Sequence, residues 1–497
     1  MANRLSLISS NSFRPADHET LFCKSLVVGN TVAAYTATLA ILQAGGQVCW
    51  VQPGKLDITD YLNQEQPLTL TALRSRFSWR LGRSVSPWET AVILSRSQQR
   101  FWANWQAQPL LPKPSSKDAA ADSERSQRVS KGVQLQQAIA PYLSSRQLMF
   151  IPQGEPVRVL YAETHGQRRV YQVVFRDRGT GQGFQVHAKL TLDATRDATL
   201  QQLLTDSPGN FPQTEFTLKA EHLASAQSGS ARGTFFEDAI ALTLAQSPSG
   251  RARSRPVSIP LRALIPQNTE GFLCVSQPGC EPALRPLFQQ PLVRWTLGEA
   301  VGHVAARIVG VNHALQKLMT QPHWRWQLQQ QLVQRGIPLF AFDDVGLEDP
   351  DFEAIQMGAI ADVVRTMRQR DLRFRPETPV TRSVVASALI RLPQNRDPAA
   401  TSDPAIQDVS PNHWAFTAIQ QAIALDVMTT TPRDYFCPGK VLSKRELWEV
   451  LRPLYPPDVV LPPWPQDETP ARRRHLSRGL YPILQSRLGL QNQAKTL

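Results

Sequence analysis

Among the five cysteines there is no Cys-x-x-Cys pair and no Cys/His spacing that suits zinc. Zinc ribbons, zinc fingers and thioredoxin-type redox motifs are thereby excluded. The count is odd, and Cys23, Cys49 and Cys274 lie in apolar, strand-like runs. Buried free thiols in a reducing compartment are therefore expected, and with them a cytoplasmic location. No apolar run is long enough to cross a bilayer, and residues 1–19 hold too short an apolar stretch for a signal peptide. Acidic residues are in deficit, with 41 Asp and Glu against 54 Lys and Arg, which leaves a net charge of +13. Such a surface favours anionic partners. Yet the basic residues are scattered, clustering only at 251–255 and 472–474 without interleaved aromatics, so no specific nucleic-acid interface is expected. His165, His187, His222, His303 and His313 are isolated and form no acid–base pattern.

What is present begins with residues 25–53, SLVVGNTVAAYTATLAILQAGGQVCWVQP. A β-rich run at 26–28 reaches Gly29. An Ala-rich helical segment spans 32–44, and Gly45-Gly46 ends it as a C-cap glycine does. A second buried strand follows at 48–51. Strand, glycine turn, helix and strand make a βαβ unit, which implies a parallel sheet. The dinucleotide fingerprint G-x-G-x-x-G reads here Gly29-Asn30-Thr31-Val32-Ala33-Ala34. Its first glycine is present, its second is Thr31 and its third is Ala34. The acid that would bind ribose falls at Gln52. A nucleotide site and a bare βαβ unit both remain open on these residues.

At 497 residues the chain is long enough for about three domains, and its 39 prolines suggest long irregular connections. Residues 1–20 read as a polar lead-in and 21–105 as the first part of an α/β domain, with helical periodicity over 69–105. A Pro/Ser/Lys-rich stretch at 106–132 reads as a flexible insertion. Within 133–330, a helix at 133–143 precedes β-rich runs at 148–152, 157–163, 169–176 and 184–192, read as a small antiparallel meander. Its last strand runs into Asp193-Ala194-Thr195-Arg196-Asp197. Residues 211–236 read as strand-like, followed by 258–266 and 271–276. A long helix is expected over 293–319, with Gly298 and Gly302 on a face close to other backbone.

Four of these segments together resemble one family, the FAD-dependent oxidoreductases with a glutathione-reductase-like FAD domain, in the subgroup loosely termed xanthan lyase-like and frequent in bacteria. The βαβ unit is the first segment. Asp193-Ala-Thr-Arg-Asp197 is similar to the family's D-A-T-G-D, and Ile259-Pro-Leu-Arg-Ala-Leu-Ile-Pro266 to its I-P-Y-R-x-L-I-P. Phe272-Leu-Cys-Val-Ser276 with Leu297-Gly-Glu-Ala-Val-Gly302 is similar to N-L-L-V-A-G-R and A-L-G-Q-A-A-G. The resemblance covers about residues 20–320. It implies a Rossmann-like FAD/NAD(P)-binding domain with a β-rich inserted region, FAD as cofactor, and a flavin nucleotide held near Gly29, Asn30, Thr31, Ala34, Gln52, Ala194, Thr195, Arg196, Ser276 and Gln277. It also implies that side chains at 31, 196 and 276, where the family has glycine, project toward the cofactor. Weak flavin occupancy is the corresponding expectation. Both an FAD-dependent oxidoreductase and a non-catalytic relative, a pseudoenzyme acting as a scaffold, are open. The substrate is not readable.

From residue 337 the composition changes and a repeat appears. Phe342-Asp-Asp-Val345, Asp351–Gln356, Phe374-Arg-Pro376, Thr381-Arg382 and a closing helix recur as Asp408-Val409, His413–Gln420, Phe436-Cys-Pro438, Ser443-Lys444 and a closing helix. A shorter third echo begins at His475. Phe352/Ile355 and Trp414/Ile419 are expected to pack the first helix of each copy, and Thr381 and Ser443 to cap the second. Residues 337–490 resemble the S-layer homology domain, a small all-α repeat. That resemblance implies an anionic polymer or glycan partner bound near Arg382 and Lys444. A packing module is the alternative.

Overall fold

The computed structural model describes residues 15–54, 95–100, 135, 137–205, 211–222, 236–244, 256–311, 315–364, 373–393, 406–457 and 467–489. They belong to two units, Met1–Gln321 with Arg335–Pro338, and Pro322–Gln334 with Leu339–Leu497. The expected insertion at 106–132, the helical periodicity at 69–94 and His313 lie outside the described residues.

The first unit runs β1 (Glu19–Val28), α1 (Val32–Gln43), β2 (Val48–Gln52), β3 (Leu148–Pro152), β4 (Gly154–Thr164), β5 (Gln167–Asp177), β6 (Gly183–Asp193), α2 (Thr199–Leu204), β7 (Ala239–Leu244), β8 (Pro256–Pro260), β9 (Thr269–Glu270), β10 (Phe272–Cys274), α3 (Arg285–Gln289), α4 (Pro291–Val309) and α5 (Leu315–Met319). Its strand order is β3-β2-β1-β6-β5-β4, with β10 also on β6 and β9 also on β5. From β3 through β6 to β10 every pairing is parallel, whereas β4, β5 and β6 pair antiparallel. This is an α/β unit with a Rossmann-like parallel core. Its sheet is continuous with the meander because β6 serves both: residues 183–187 pair with β5 and residues 191–193 with β10.

The residues explain the layers. Cys49 and Val51 of β2 join Leu26, Val28, Ile151 and the inward side chains of the meander, Val173, Phe175, Phe184 and Val186, in one buried cluster. By the two-residue alternation of a strand, Trp50 and Gln52 face the other side, where Tyr35 of α1 packs 6.3 Å from the Trp50 ring. Helix α1 ends in a Schellman arrangement: Gly45, at φ 79°, donates to Leu42 O and Gly46 to Ile41 O. Helix α4 lies against α1 nearly backbone to backbone. A Cβ on Gly298 would fall 2.5 Å from Ala33 O, and one on Gly302 2.4 Å from Ala37 O. The close approach expected of these two glycines is therefore real, and Thr36 Oγ1 uses it to donate to Trp295 O at 3.0 Å.

Four expectations need correction. The run at 148–152 is not part of the meander: as β3 it pairs in parallel with β2 and continues the Rossmann-like sheet. Residues 211–219 are not a strand but irregular backbone touching its neighbours through single bridges at Thr214 and Leu218, and residues 220–222 are helical. Pro212 removes a donor there, and residues 223–235 are outside the described set. The helix expected over 293–319 is interrupted: α4 ends at Val309, residues 310–311 form a turn, and Leu315–Met319 is helical again as α5, with 312–314 outside the described residues. Finally, Cys49 and Cys274 are buried free thiols but Cys23 is half-buried. Among the described residues no helix is long and apolar enough to cross a membrane.

The second unit contains α6 (Pro322–Gln334), α7 (Phe352–Ile360), α8 (Arg382–Ile390), α9 (Phe416–Ala424), α10 (Lys444–Leu451) and α11 (Arg473–Arg487). The repeat is geometric. Asp344 accepts from the amides of Phe374 and Arg375, and Asp408 accepts from those of Phe436 and Cys437. Phe374 and Phe436 are both fully buried. The third echo joins the other two copies and starts earlier than His475. Val380 N donates to Ala471 O (2.9 Å), Ala471 N to Leu442 O (2.8 Å), and Leu442 N to Val380 O (3.1 Å), so the three copies close into a ring. A second cycle links Arg382 N to Lys440 O, Lys444 N to Thr469 O, and Arg473 N to Thr378 O. Side chains reinforce it. Arg382 stacks on the Phe436 ring at 4.6 Å and donates to Phe436 O and Thr429 O. Arg473 stacks on the Phe374 ring at 4.7 Å and donates to Phe374 O. Lys444 reaches Asp467 instead.

Two details differ from expectation. Ser443 caps α10 in a full capping box with Glu446, but the hydroxyl of Thr381 faces Ser383 rather than the α8 amides. Ile355 and Ile419 are buried, as is Phe352, but Trp414 is 64% exposed. Ala415 and the half-buried Phe416 hold the inner side of α9, because Trp414 precedes the helix and so escapes its inward stripe.

Candidate functional site

The turn from β1 into α1 sits at the carboxyl end of the parallel strands, where ligands of open α/β sheets bind. Gly29 is required by contact: a Cβ there would lie 2.0 Å from Ala194 O. Its amide donates to Val51 O at 3.0 Å, and its carbonyl accepts from Trp50 Nε1 at 2.9 Å. β1, β2 and the segment after β6 therefore meet at one residue. The loop after β2 returns beside Asn30, since a Cβ on Gly54 would be 3.7 Å from Asn30 Nδ2.

Thr31 is the N-cap of α1 and nearly fully buried. Its Oγ1 accepts from Ala34 N (3.3 Å) and donates to Ala194 O (2.8 Å). The threonine that stands at the fingerprint's second glycine thus spends its hydroxyl inside the protein, and Ala34 gives it its amide. The amides of Val32 and Ala33 belong to the set that a helix start cannot satisfy internally. Helix polarity makes that end favourable for an anion.

Across the turn, Asp193 ends β6. Its Oδ1 accepts from Thr195 N (3.1 Å) and Thr195 Oγ1 (2.7 Å), and its Oδ2 from Gln201 N (2.9 Å). Ser276, just past β10, donates from its hydroxyl to Thr195 O (2.5 Å) and from its amide to Asp193 O (2.8 Å). Burial pushes the Asp193 carboxyl up to about 6, against the opposing pull of the hydrogen bonds from Thr195, Gln201 and Ser276. Ala194 and Thr195 are buried, Arg196 is exposed and Gln277 is half-buried.

Gln52 is the remaining residue of the pattern. It is 4% exposed, and among the described residues its Nε2 has no hydrogen-bond partner. By strand alternation it shares the α1 side with Trp50, two residues further toward the carboxyl end of the sheet. A buried amide donor left unmet costs about 1–3 kcal/mol.

The structure therefore gathers Gly29, Thr31, Ala34, Ala194, Thr195 and Ser276 around one turn, with Asn30 and Gln52 at its β2 side. Sequence reasoning missed Asp193 and Gln201, the carboxylate and amide that hold the turn together. The available signal was a lone Asp closing an apolar strand immediately before Ala-Thr. Among the described residues, no group of His, Cys, Asp and Glu is arranged to hold a metal ion.

No family model matches the sequence, and no curated protein matches it. Among solved structures the chain is similar to THI4 from Thermovibrio ammonificans, at 13% identity and a TM-score of 0.28 over 58% of this chain and 91% of that one. It is also similar to FrdA of E. coli quinol fumarate reductase, at 10% identity and a TM-score of 0.29 over 69% and 86%. A third is the myxobacterial chondrochloren halogenase CndH, a variant of FAD-dependent halogenases, at 10% identity and a TM-score of 0.28 over 65% and 84%. The fold assignment made above rests on the strand order and pairing of this chain.

Proposed function

We propose that the first unit is a flavin-dinucleotide unit of the FAD-dependent oxidoreductase kind, kept in outline and weakened at its phosphate cradle. The observation that carries this reading is the buried amide of Gln52, without a hydrogen-bond partner among the described residues and on the same side of the sheet as the start of α1. A ribose hydroxyl suits that amide, as it suits the acid of the usual fingerprint. Gly29, Asn30 and the first amides of α1 would face the pyrophosphate, while Ala194, Thr195, Arg196, Ser276 and Gln277 would border the rest of the nucleotide. When bound, the flavin would supply two-electron transfer, which this chain's own side chains do not offer. The weakening rests on Thr31, whose hydroxyl already occupies one helix-start amide, and on the loss of a charged partner at position 52.

The test is the visible absorbance of flavin released by acid from the purified protein. A substoichiometric yield is expected. A full equivalent would remove the weakening, and a protein that neither retains flavin nor takes it up on addition would remove the reading itself.

For the second unit we propose a packing or scaffold module of the S-layer homology kind. The two arginines that could meet an anionic polymer are turned inward onto Phe436 and Phe374, which favours this reading over a polymer site at Arg382 and Lys444. Co-sedimentation with an anionic cell-wall polysaccharide is the check: binding lost in both Arg382→Ala and Lys444→Ala, with folding intact, would reinstate the polymer site.

A further inference from the structure

The first unit also has a cavity away from the turn at Gly29. It measures about 290 Å³ and opens where β9 and the start of β10 pass β5 and β6, beside the end of α4. It is lined at the amino end of β10, whereas the turn at Gly29 lies at the carboxyl ends of the strands. Its walls combine three features. First, Arg169 and Glu270 are direct partners in the parallel pairing of β5 with β9, which puts opposite charges side by side at the rim. Yet the two form no ion pair with each other or with another described residue. Second, Gln316 donates from Nε2 to Thr269 O at 2.9 Å, which fixes the amide's orientation. Among the described residues its Oε1, buried, then has no donor. Third, Leu190, Ile265, Phe272 and Ile308 give the cavity an apolar lining. Lys189 closes one end by donating to Val309 O and Val311 O.

An anionic group suits Arg169, with Lys189 adding positive field. A cationic N–H donor suits Glu270 and the unmet Gln316 Oε1. An apolar body suits the lining. These requirements coincide in one class of small molecule. We propose that this cavity binds a free α-amino acid with an aliphatic side chain, its carboxylate toward Arg169 and its ammonium toward Glu270 and Gln316.

Isothermal titration of the full chain with L-leucine, 4-methylpentanoate and isoamylamine tests this. The last two lack the ammonium and the carboxylate respectively. Leucine is expected to bind saturably and each truncated ligand at least about tenfold more weakly, as loss of a charge-assisted hydrogen bond predicts. Arg169→Gln should then erase the advantage of leucine over isoamylamine while keeping its advantage over 4-methylpentanoate. Glu270→Gln should do the reverse. That crossed pattern distinguishes a site from general damage to the fold. Absence of saturable heat with millimolar leucine would overturn the proposal, as would equal binding of 4-methylpentanoate, which would make the cavity a plain carboxylate site. Variants that weaken all three ligands alike would overturn it too.

Discussion

The turn at Gly29 and the ring of the C-terminal unit both carry a recognisable motif, and they depart from it in opposite ways. At Gly29 the parallel scaffold is present, while Thr31, Gln52 and Ser276 stand where the resembling fingerprint and motifs have glycine, an acid and glycine. The replacements are absorbed by local bonds, Thr31 to Ala34 and Ala194, Ser276 to Thr195. In the ring the cations after the second-helix caps, Arg382 and Arg473, are used internally. Arg382 and the equivalent Arg473 each clasp the phenylalanine loop of another copy. The lesson is that a retained motif residue does not imply a retained ligand contact, and that a changed one does not imply a broken fold.

The contrast can be broken most severely at Gly29. Gly29→Val forces a side chain into Ala194 O and should destabilise the chain by about 4 kcal/mol or more, read as a fall in the urea midpoint. Gly45→Val, at a glycine with open space around it but φ of 79°, should cost only about 1–2 kcal/mol. Equal losses would mean that the contact with Ala194 is dispensable.

The ring gives the next effect. Arg473→Ala removes a buried guanidinium from Phe374 and leaves that residue's carbonyl unmet, for an expected loss of about 3 kcal/mol. Lys444→Ala, at a partly exposed pair, should cost about 0.5–1 kcal/mol. If the two substitutions cost the same, the inward use of the cation does not distinguish the copies.

A pH profile sharpens the comparison at Asp193. Its carboxyl binds a proton more tightly in the folded chain than in the unfolded one, so the folded state holds more protons between about pH 4 and 6. Stability is then highest below that window and falls as pH rises through it, by up to about 2–3 kcal/mol. Asp193→Asn should flatten this part of the profile in chemical denaturation at several pH values. An unchanged slope would assign it to another acid, such as the buried Glu299, whose carboxyl is also raised by burial. The smallest effect is expected from Thr31→Gly. It exchanges a threonine cap for a glycine one, at a few tenths of a kcal/mol, and gives up the bond to Ala194 O, for about 1 kcal/mol in all, and should raise the flavin retained after purification. Unchanged or lower flavin would separate Thr31 from the weakening of the cradle.

Much of the first unit was legible because local signals agreed with the global fold. Gly45-Gly46 stopped α1, β-branched and aromatic runs between turn signals located β4 to β6, and Gly298 and Gly302 announced a close helix crossing. What escaped was set by distant pairing. That β3 joins β2, and that β6 is shared between meander and parallel sheet, follows from hydrogen bonds between segments far apart in the chain, such as Val48 with Leu148 and Glu19 with Phe184, which no local periodicity records. At the site, the fingerprint positions were readable, but the fate of Thr31's hydroxyl depended on Ala194, and Asp193 gained its role only through Gln201 and Ser276. In the repeats, the aspartates and phenylalanines stood out by spacing. Trp414 misled because an aromatic at the start of a helix reads as core until the first turn's phase is known.

The cyclic amide bonds among Val380, Leu442 and Ala471 have a topological consequence. Linear repeat arrays can grow by adding copies at an open edge, but here each copy already has both neighbours. An inserted fourth copy would find no vacant edge to join, whereas cutting a connection between copies and rejoining the original ends would leave every pairing in place. The number of members is thus fixed by geometry, while the order in which the chain visits them is free to change.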